Sequence, residues 1–106
     1  MIISTADDLP GYEITELHGE VFGLTVRSRP LGSQMAAGFK SMVGGELKGM
    51  TKMLHEGRAE AIERLKEEAE AAGANAIVTM RFDTSEFMEQ GTEICAYGTA
   101  VTAIKR

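Results

Sequence analysis

The residues from about 47 to 72 place the strongest limit on what this chain can fold into. Leu47, Met50, Leu54, Ala61, Ile62, Leu65, Ala69 and Ala72 recur at helical spacing and form one apolar stripe. Glu60 with Arg64, and Arg64 with Glu68, are i,i+4 pairs expected on the outer side. Gly57 costs a helix interior about 1 kcal/mol relative to Ala, and its missing side chain leaves room for a close neighbour. Gly73 supplies a C-terminal cap. A helix of about 26 residues spans roughly 39 Å. A compact chain of 106 residues has a radius of gyration of only about 13 Å. The helix is therefore predicted to outreach a small sheet, and each Leu, Ile or Met left wet forfeits about 1.5–3 kcal/mol. Self-association is the simplest remedy, with the Leu47, Met50, Leu54 and Ala61 side as the candidate seam.

The flanking segments read as strands. Residues 2–5 are short and β-branched, and Pro10-Gly11 marks a turn. From Tyr12 to Arg27 the pattern is extended, but its apolar parity changes between Ile14, then Leu17 and Val21, then Phe22, Leu24 and Val26. A flat strand keeps one parity, so the pattern predicts a bulge at Gly19 or Gly23, or cover on both faces. Ser33 caps a predicted short helix over 34–43, with Met35, Phe39, Met42 and Val43 on one side. Ala76–Asp83 alternates as a strand, 84–91 reads as a polar loop, and Thr92–Ile104 is a last strand. Small residues on both parities of that strand predict contact on both faces. The expected fold is α+β, in the order β-β-α-α-β-β, with a small antiparallel sheet packed against one long and one short helix. The whole of 1–106 forms a single domain in this reading.

Charge and composition exclude several function classes. The formal charge of −5 and the absence of a basic stripe argue against nucleic-acid binding. No apolar run approaches the roughly 20 residues of a membrane span. The opening MIISTADDLPGY lacks the basic and apolar regions of a signal peptide. A single Cys forms no internal disulfide, and together these features predict a cytoplasmic protein. With no Trp, four Phe and two Tyr, the core rests on aliphatic residues and seven Met, and association would supplement it.

The search for chemistry is mostly negative. Nucleophile-elbow, Walker-type, dinucleotide-binding and H-E-x-x-H motifs are absent, and no acid, base and nucleophile set emerges, so no enzyme is predicted. Gly44-Gly45-Glu46-Leu47-Lys48-Gly49 opens the long helix, where Glu46 occupies the place an anion would take; a hinge or cap is the expectation. Cys95 reads as a small packing residue or a soft-ligand contact. Met50 with Met53, and Met35 with Met42, read as adaptable core or interface filler, and His55 as a polar-face or interface residue. The sharpest constellation is Glu16, His18 and Glu20 at i, i+2 and i+4. On an unbulged strand they share one face and suit a borderline divalent metal, especially if other subunits add ligands; a bulge at Gly19 would move Glu20 away, and a solvated strand face is the alternative.

From Val43-Gly44-Gly45-Glu46 onward a wider pattern accumulates: Arg58, Ala61 and Leu65 on the helix, Gly73-Ala74-Asn75-Ala76-Ile77-Val78, and Gly98-Thr99-Ala100-Val101. Upstream, Ser4-Thr5, Pro10-Gly11-Tyr12 and Gly19-x-Val21-x-Gly23 complete it. In order and spacing this resembles the YbjQ-like family of uncharacterised bacterial proteins, over nearly the whole chain. The resemblance implies a dodecin-like subunit assembling as a homopentamer. It also carries the label "putative heavy-metal-binding domain", which implies a divalent or heavy-metal ion as ligand, and it brings no catalytic residues. The expected protein is a homo-oligomeric binding module with ligands at subunit junctions; the alternatives are a structural scaffold and an enzyme with an inter-subunit site.

Overall fold

The structure is a computed structural model that describes residues 1–28, 42–43, 46–87 and 91–106. In chain order it contains β1 (Ile2–Ile3), β2 (Tyr12–Ser28), β3 (Met42–Val43), β4 (Glu46–Leu47), α1 (Lys48–Ala71), β5 (Ala76–Phe87) and β6 (Gly91–Lys105). Four strands form one mixed sheet in the order β1-β5-β6-β2. β1 runs parallel to β5, whereas β5 with β6 and β6 with β2 are antiparallel. β3 and β4 make a separate two-residue ladder just before the helix. Among the described residues the fold is thus a small α+β arrangement of a four-stranded mixed sheet and one helix. The predicted all-antiparallel sheet is corrected at β1. The predicted short helix at 34–43 lies outside the described residues except for Met42 and Val43, which are in β3.

α1 lies across one face of the sheet because its sequence supplies a smooth seam. Gly57, Ala61, Leu65 and Ala69 form one i,i+4 row, and all four are buried. They meet Val21, Ile77, Met80, Ile94, Ala96 and Ala100 to form the main core. The closest approach is at Gly23 of β2. A Cβ there would strike the backbone of Ala61 and Leu65, so the strand holds the helix directly against its own main chain. At Gly57 a Cβ would collide with the Ile94 side-chain tip and come 3.3 Å from Arg27 Cγ, the close neighbour that the sequence leads one to expect. The helix closes in a Schellman motif. Gly73, at φ +90°, donates its N–H to Glu70 O (3.0 Å), and Ala74 donates to Ala69 O (3.0 Å). Asn75 then continues the sheet with its side chain: its Nδ2 donates to Ala103 O (2.9 Å), and its Oδ1 accepts from Ala103 N (2.8 Å).

Bulges change which face each strand presents. In β2 the register slips between Ile14 and Glu16 and again between Leu17 and Gly19, where Gly19 has φ +104°. The second slip is the bulge expected at Gly19, the first falls at Thr15 where no glycine marks it, and Gly23 serves close packing instead. β5 slips between Val78 and Arg81, with Thr79 at φ 54°. Ala76 and Val78 therefore face away from the helix, and Met80 and Phe82 face toward it. The bulge amide of Thr79 donates to Ala6 O (2.8 Å), which satisfies the group removed from the ladder. Gly98 lies opposite, where a Cβ would meet Ile77 Cγ2 at 2.8 Å and Val78 O at 3.0 Å.

The expected mismatch between helix and sheet runs the other way. At about 1.5 Å per residue, the 24 residues of α1 span roughly 36 Å. At about 3.3 Å per residue, the 17 residues of β2 and 15 of β6 span roughly 56 and 50 Å. The molecule measures 53 × 26 × 16 Å with a radius of gyration of 17.1 Å, longer and flatter than a compact chain of this size. The helix covers one sheet face with the central part of its stripe: Ala61, Leu65 and Ala69 are fully buried, and Leu54 and Ile62 pack on the core. The proposed helical seam through Leu47, Met50, Leu54 and Ala61 is accordingly corrected. Leu47 belongs to β4, Ala61 is core, and the uncovered apolar surface lies on the far face of the sheet. There Leu9 and Tyr12 fold over Ala76, Val78, Val101 and Ala103 to make a second small cluster. Beyond it Phe22, Leu24, Val26 and Tyr97 stand exposed.

Replacing Gly23 with Ala is expected to destabilise the protein by about 3 kcal/mol, because helix backbone and not a flexible side chain must move. Gly49→Ala, where a Cβ meets open space, is expected to be neutral or stabilising by up to about 1 kcal/mol. Urea denaturation midpoints of the two variants check this.

Candidate functional site

The residues of the sequence-derived metal constellation lie on the irregular half of β2. Glu16 pairs with Thr102 of β6, and His18 is the extra residue between the Leu17–Val101 and Gly19–Ala100 pairs. His18 is largely buried and turned toward the end of α1, where its Cε1 lies 3.7 Å from the position a Cβ on Gly73 would take. Its Nε2 is 2.7 Å from Thr102 Oγ1, a hydrogen bond whose direction follows the imidazole tautomer. The same Nε2 is 3.7 Å from Glu16 Oε2. Glu20 pairs with Thr99 and precedes Val21, which is buried against the helix, so Glu20 belongs to the opposite sheet face. The chain brings together Glu16 and His18, with Thr102 as a third polar neighbour, and separates Glu20 from them. Among the described residues no three His, Cys, Asp or Glu side chains are grouped closely enough to hold a metal ion. One chain thus offers a two-donor pair, and a metal at Nε2 would have to displace the Thr102 hydrogen bond. Thr102 was not singled out in the sequence; its place opposite Glu16 requires the β2–β6 register.

Cys95 occupies the exposed sheet face, half-buried between Leu24 of β2 and Asp83 of β5. Burial pushes its thiol above the usual range, and the carboxylates of Glu93 and Asp83 push it further. The thiol is thereby held in its neutral form, the poorer nucleophile and the poorer metal ligand. Glu93, two residues before Cys95 on a strand, is legible in the sequence; Asp83 requires the β5–β6 register.

Glu60 carries the densest polar contacts. Its Oε1 accepts from Thr25 Oγ1 (3.0 Å) and pairs with Arg64 (2.5 Å), and its Oε2 accepts from Arg27 (2.6 Å). Arg64 also donates to Leu24 O (2.5 Å). Glu60 therefore does not face outward as the i,i+4 spacing implied. It clamps α1 onto β2, and its oxygens are committed to that work. Nearby, Arg58 lies 4.8 Å above the Phe82 ring, beside an open cleft of about 240 Å³ between Met50 and Leu54 of the helix and Thr84 and Thr92 of the sheet. That volume is below the roughly 300 Å³ at which small-molecule pockets begin. His55 is exposed on the helix, and Met50 and Met53 are half-buried. Met35 and Gly44-Gly45 lie outside the described residues, as does the side chain of Met42.

Comparison with known proteins assigns the family. A family model described as "Putative heavy-metal-binding" matches residues 1–104, and the chain belongs to this YbjQ family. A "UPF0145 protein" of Mycobacteroides abscessus is 63% identical over 101 residues, covering 95% of this chain and 94% of that one. A "UPF0145 protein" of Thermosipho melanesiensis is 50% identical over 106 residues, covering 100% and 98%. Among solved structures, a protein of unknown function of the DUF74 family from Pediococcus pentosaceus matches with a TM-score of 0.68 over 98% of each chain. At 18% identity that likeness shows the fold alone.

Alkylation of Cys95 by iodoacetamide should rise with pH to a midpoint above that of an ordinary thiol, because the neutral form persists to higher pH in the folded chain. Glu93→Gln and Asp83→Asn should each lower the midpoint, and rate-against-pH profiles of the three proteins check this.

Proposed function

We propose that this protein is a non-enzymatic homo-oligomeric binding module of the cytoplasm, a closed ring of subunits that takes a metal ion or another small ligand at its subunit junctions. The observation that carries the reading is the uncovered face of the sheet, where Phe22, Leu24 and Val26 are each about half exposed (47%, 47% and 53%) on a chain only 16 Å thick. Monomeric soluble proteins rarely leave such a contiguous apolar surface in water. The number of subunits follows the resemblance, which implies five.

The ligand follows from the two donors that the fold brings together. Glu16 and His18 supply one carboxylate and one imidazole per chain, too few alone but sufficient when repeated by symmetry around a junction. The family's description as heavy-metal-binding supports the same reading. The absence of an enzymatic role is supported by the Glu60 carboxylate, whose contacts are structural, and by the neutral thiol of Cys95. Among the described residues no helix is long and apolar enough to cross a membrane, and the lone thiol is compatible with a reducing compartment.

Light scattering of purified protein at micromolar concentration is expected to give a mass several times 11.4 kDa; a monomer removes this reading. Calorimetric titration with zinc, copper and cadmium should show binding that His18→Ala weakens by at least about tenfold. Equal binding by both proteins, or none by either, assigns the ligand elsewhere than Glu16 and His18.

A further inference from the structure

We infer that the cleft between the first half of α1 and the ends of β5 and β6 binds a small monocarboxylic acid, its carboxylate on Arg58 and Thr92 and its short apolar tail against Met50 and Leu54. The site lies within one chain and needs no neighbouring subunit. It is also at the other end of the helix from His18, which sits beside Gly73.

The cleft follows from a change in what the sheet offers the helix. Met50, Leu54 and Arg58 form one i,i+4 row of α1, next to the row of Gly57, Ala61, Leu65 and Ala69 that packs on the sheet. In the β5–β6 ladder Thr84 lies opposite Ile94, and Glu86 lies opposite Thr92. Ile94 is buried toward the helix, so the pleat puts Thr84, Thr92 and Glu86 on that same side. Where the core presents Ile94 and Met80, this end of the sheet presents threonines. Met50 and Leu54 have no large apolar side chain to meet there, and an open cleft of about 240 Å³ remains. At about 30 Å³ per water that is room for roughly eight waters, too little for a drug-sized molecule and enough for a short organic acid.

The polar groups around the cleft are donors that lack acceptors. Arg58 Cζ sits 4.8 Å above the Phe82 ring centroid, a cation–π contact that fixes the guanidinium and leaves its N–H donors unspent. Among the described residues no carboxylate pairs with it. Thr92 is only 7% exposed, yet its hydroxyl makes no hydrogen bond to a described residue. Arg27, opposite Thr92 on β2, keeps a buried Nε with no acceptor. Buried donors are normally satisfied, so this corner of the fold is short of acceptor oxygens.

A carboxylate supplies two of them in a geometry that matches the guanidinium fork. Met50 and Leu54 give the tail an apolar wall, and the flexible Met side chain adapts to its shape. Glu86 lines the same cleft, so a second negative charge on the ligand would lie against a carboxylate. That selects a monoanion over a dicarboxylate or a phosphate.

The test titrates the full chain, labelled with ¹³C-methyl methionine, with sodium hexanoate, hexan-1-ol, sodium succinate and inorganic phosphate. The Met50 signal, assigned with Met50→Leu, is the reporter. Hexanoate is expected to shift it saturably with a Kd on the order of 1 mM, and the other three compounds to bind at least about tenfold more weakly. Arg58→Gln should weaken hexanoate at least about tenfold and Thr92→Val about fivefold, with unchanged circular dichroism. Lys66→Gln, which removes a cation elsewhere on α1, should bind as wild type does. The site is overturned if hexanoate leaves the Met50 signal unmoved, if any comparison compound binds as tightly as hexanoate, or if folded Arg58→Gln and Thr92→Val bind it like wild type. The ligand comparison needs no variant and decides on the wild type alone.

Discussion

The structure depends on the contact between Gly23 and the backbone of α1. At that point β2 offers no side chain, and the main chain of Ala61 and Leu65 settles where a Cβ would stand. Everything else on the helical face follows from it. The small row Gly57, Ala61 and Ala69 with the single larger Leu65 fits a sheet surface of Val21, Ile94, Ala96 and Ala100. The Glu60 clamp to Thr25, Arg27 and Arg64 then closes the same seam with charge-assisted hydrogen bonds. Close approach of helix and sheet is also why the core needs no Trp and few aromatics: dense packing of Ala, Leu, Ile and Val replaces bulk.

That economy has a consequence on the other side. A helix of 24 residues shields one face of strands that run to 17 and 15 residues, and among the described residues Leu9 and Tyr12 reach round to the second face. The described residues form a two-layer slab whose second sheet face carries exposed apolar side chains at Leu17, Phe22, Leu24 and Val26. In physical terms these residues forfeit their transfer free energy in a monomer and recover it in an assembly. The same geometry places Glu16 and His18 at the rim near the end of the helix, so that donors too few for a site in one chain can be multiplied by association.

Much of this was legible in the sequence, and the limits are instructive. The long helix was visible to within a residue or two at each end, because eight apolar residues keep one period and Gly73 ends it. The slip at Gly19 and the close contact at Gly57 were each readable from one glycine set against a pattern. Which element carried the surplus apolar surface was not readable. Periodicity gives the width of a stripe but not the length of the partner that covers it, and the polar stretch after Asp83 read as loop although β5 continues to Phe87. Nor could spacing place Glu20. Three residues at i, i+2 and i+4 share a face only if nothing interrupts the pleat, and the extra residue at His18 does. Glu60 misled for a related reason: its i,i+4 partner is real, but the long-range partners on β2 decide where it points. The family resemblance was legible because it rests on glycines and small residues. The structure gives several of them work in packing and turns, at Gly23, Gly73, Asn75 and Gly98, which explains their presence without calling on catalysis.

The central claim is that this slab does not stand alone in solution. Small-angle X-ray scattering tests it most directly, since the isolated chain has a radius of gyration of 17.1 Å and a 53 Å long axis. The account predicts a radius well above that value at all accessible concentrations, with a scattering mass several times 11.4 kDa. A curve that fits a single slab of about 17 Å would contradict it.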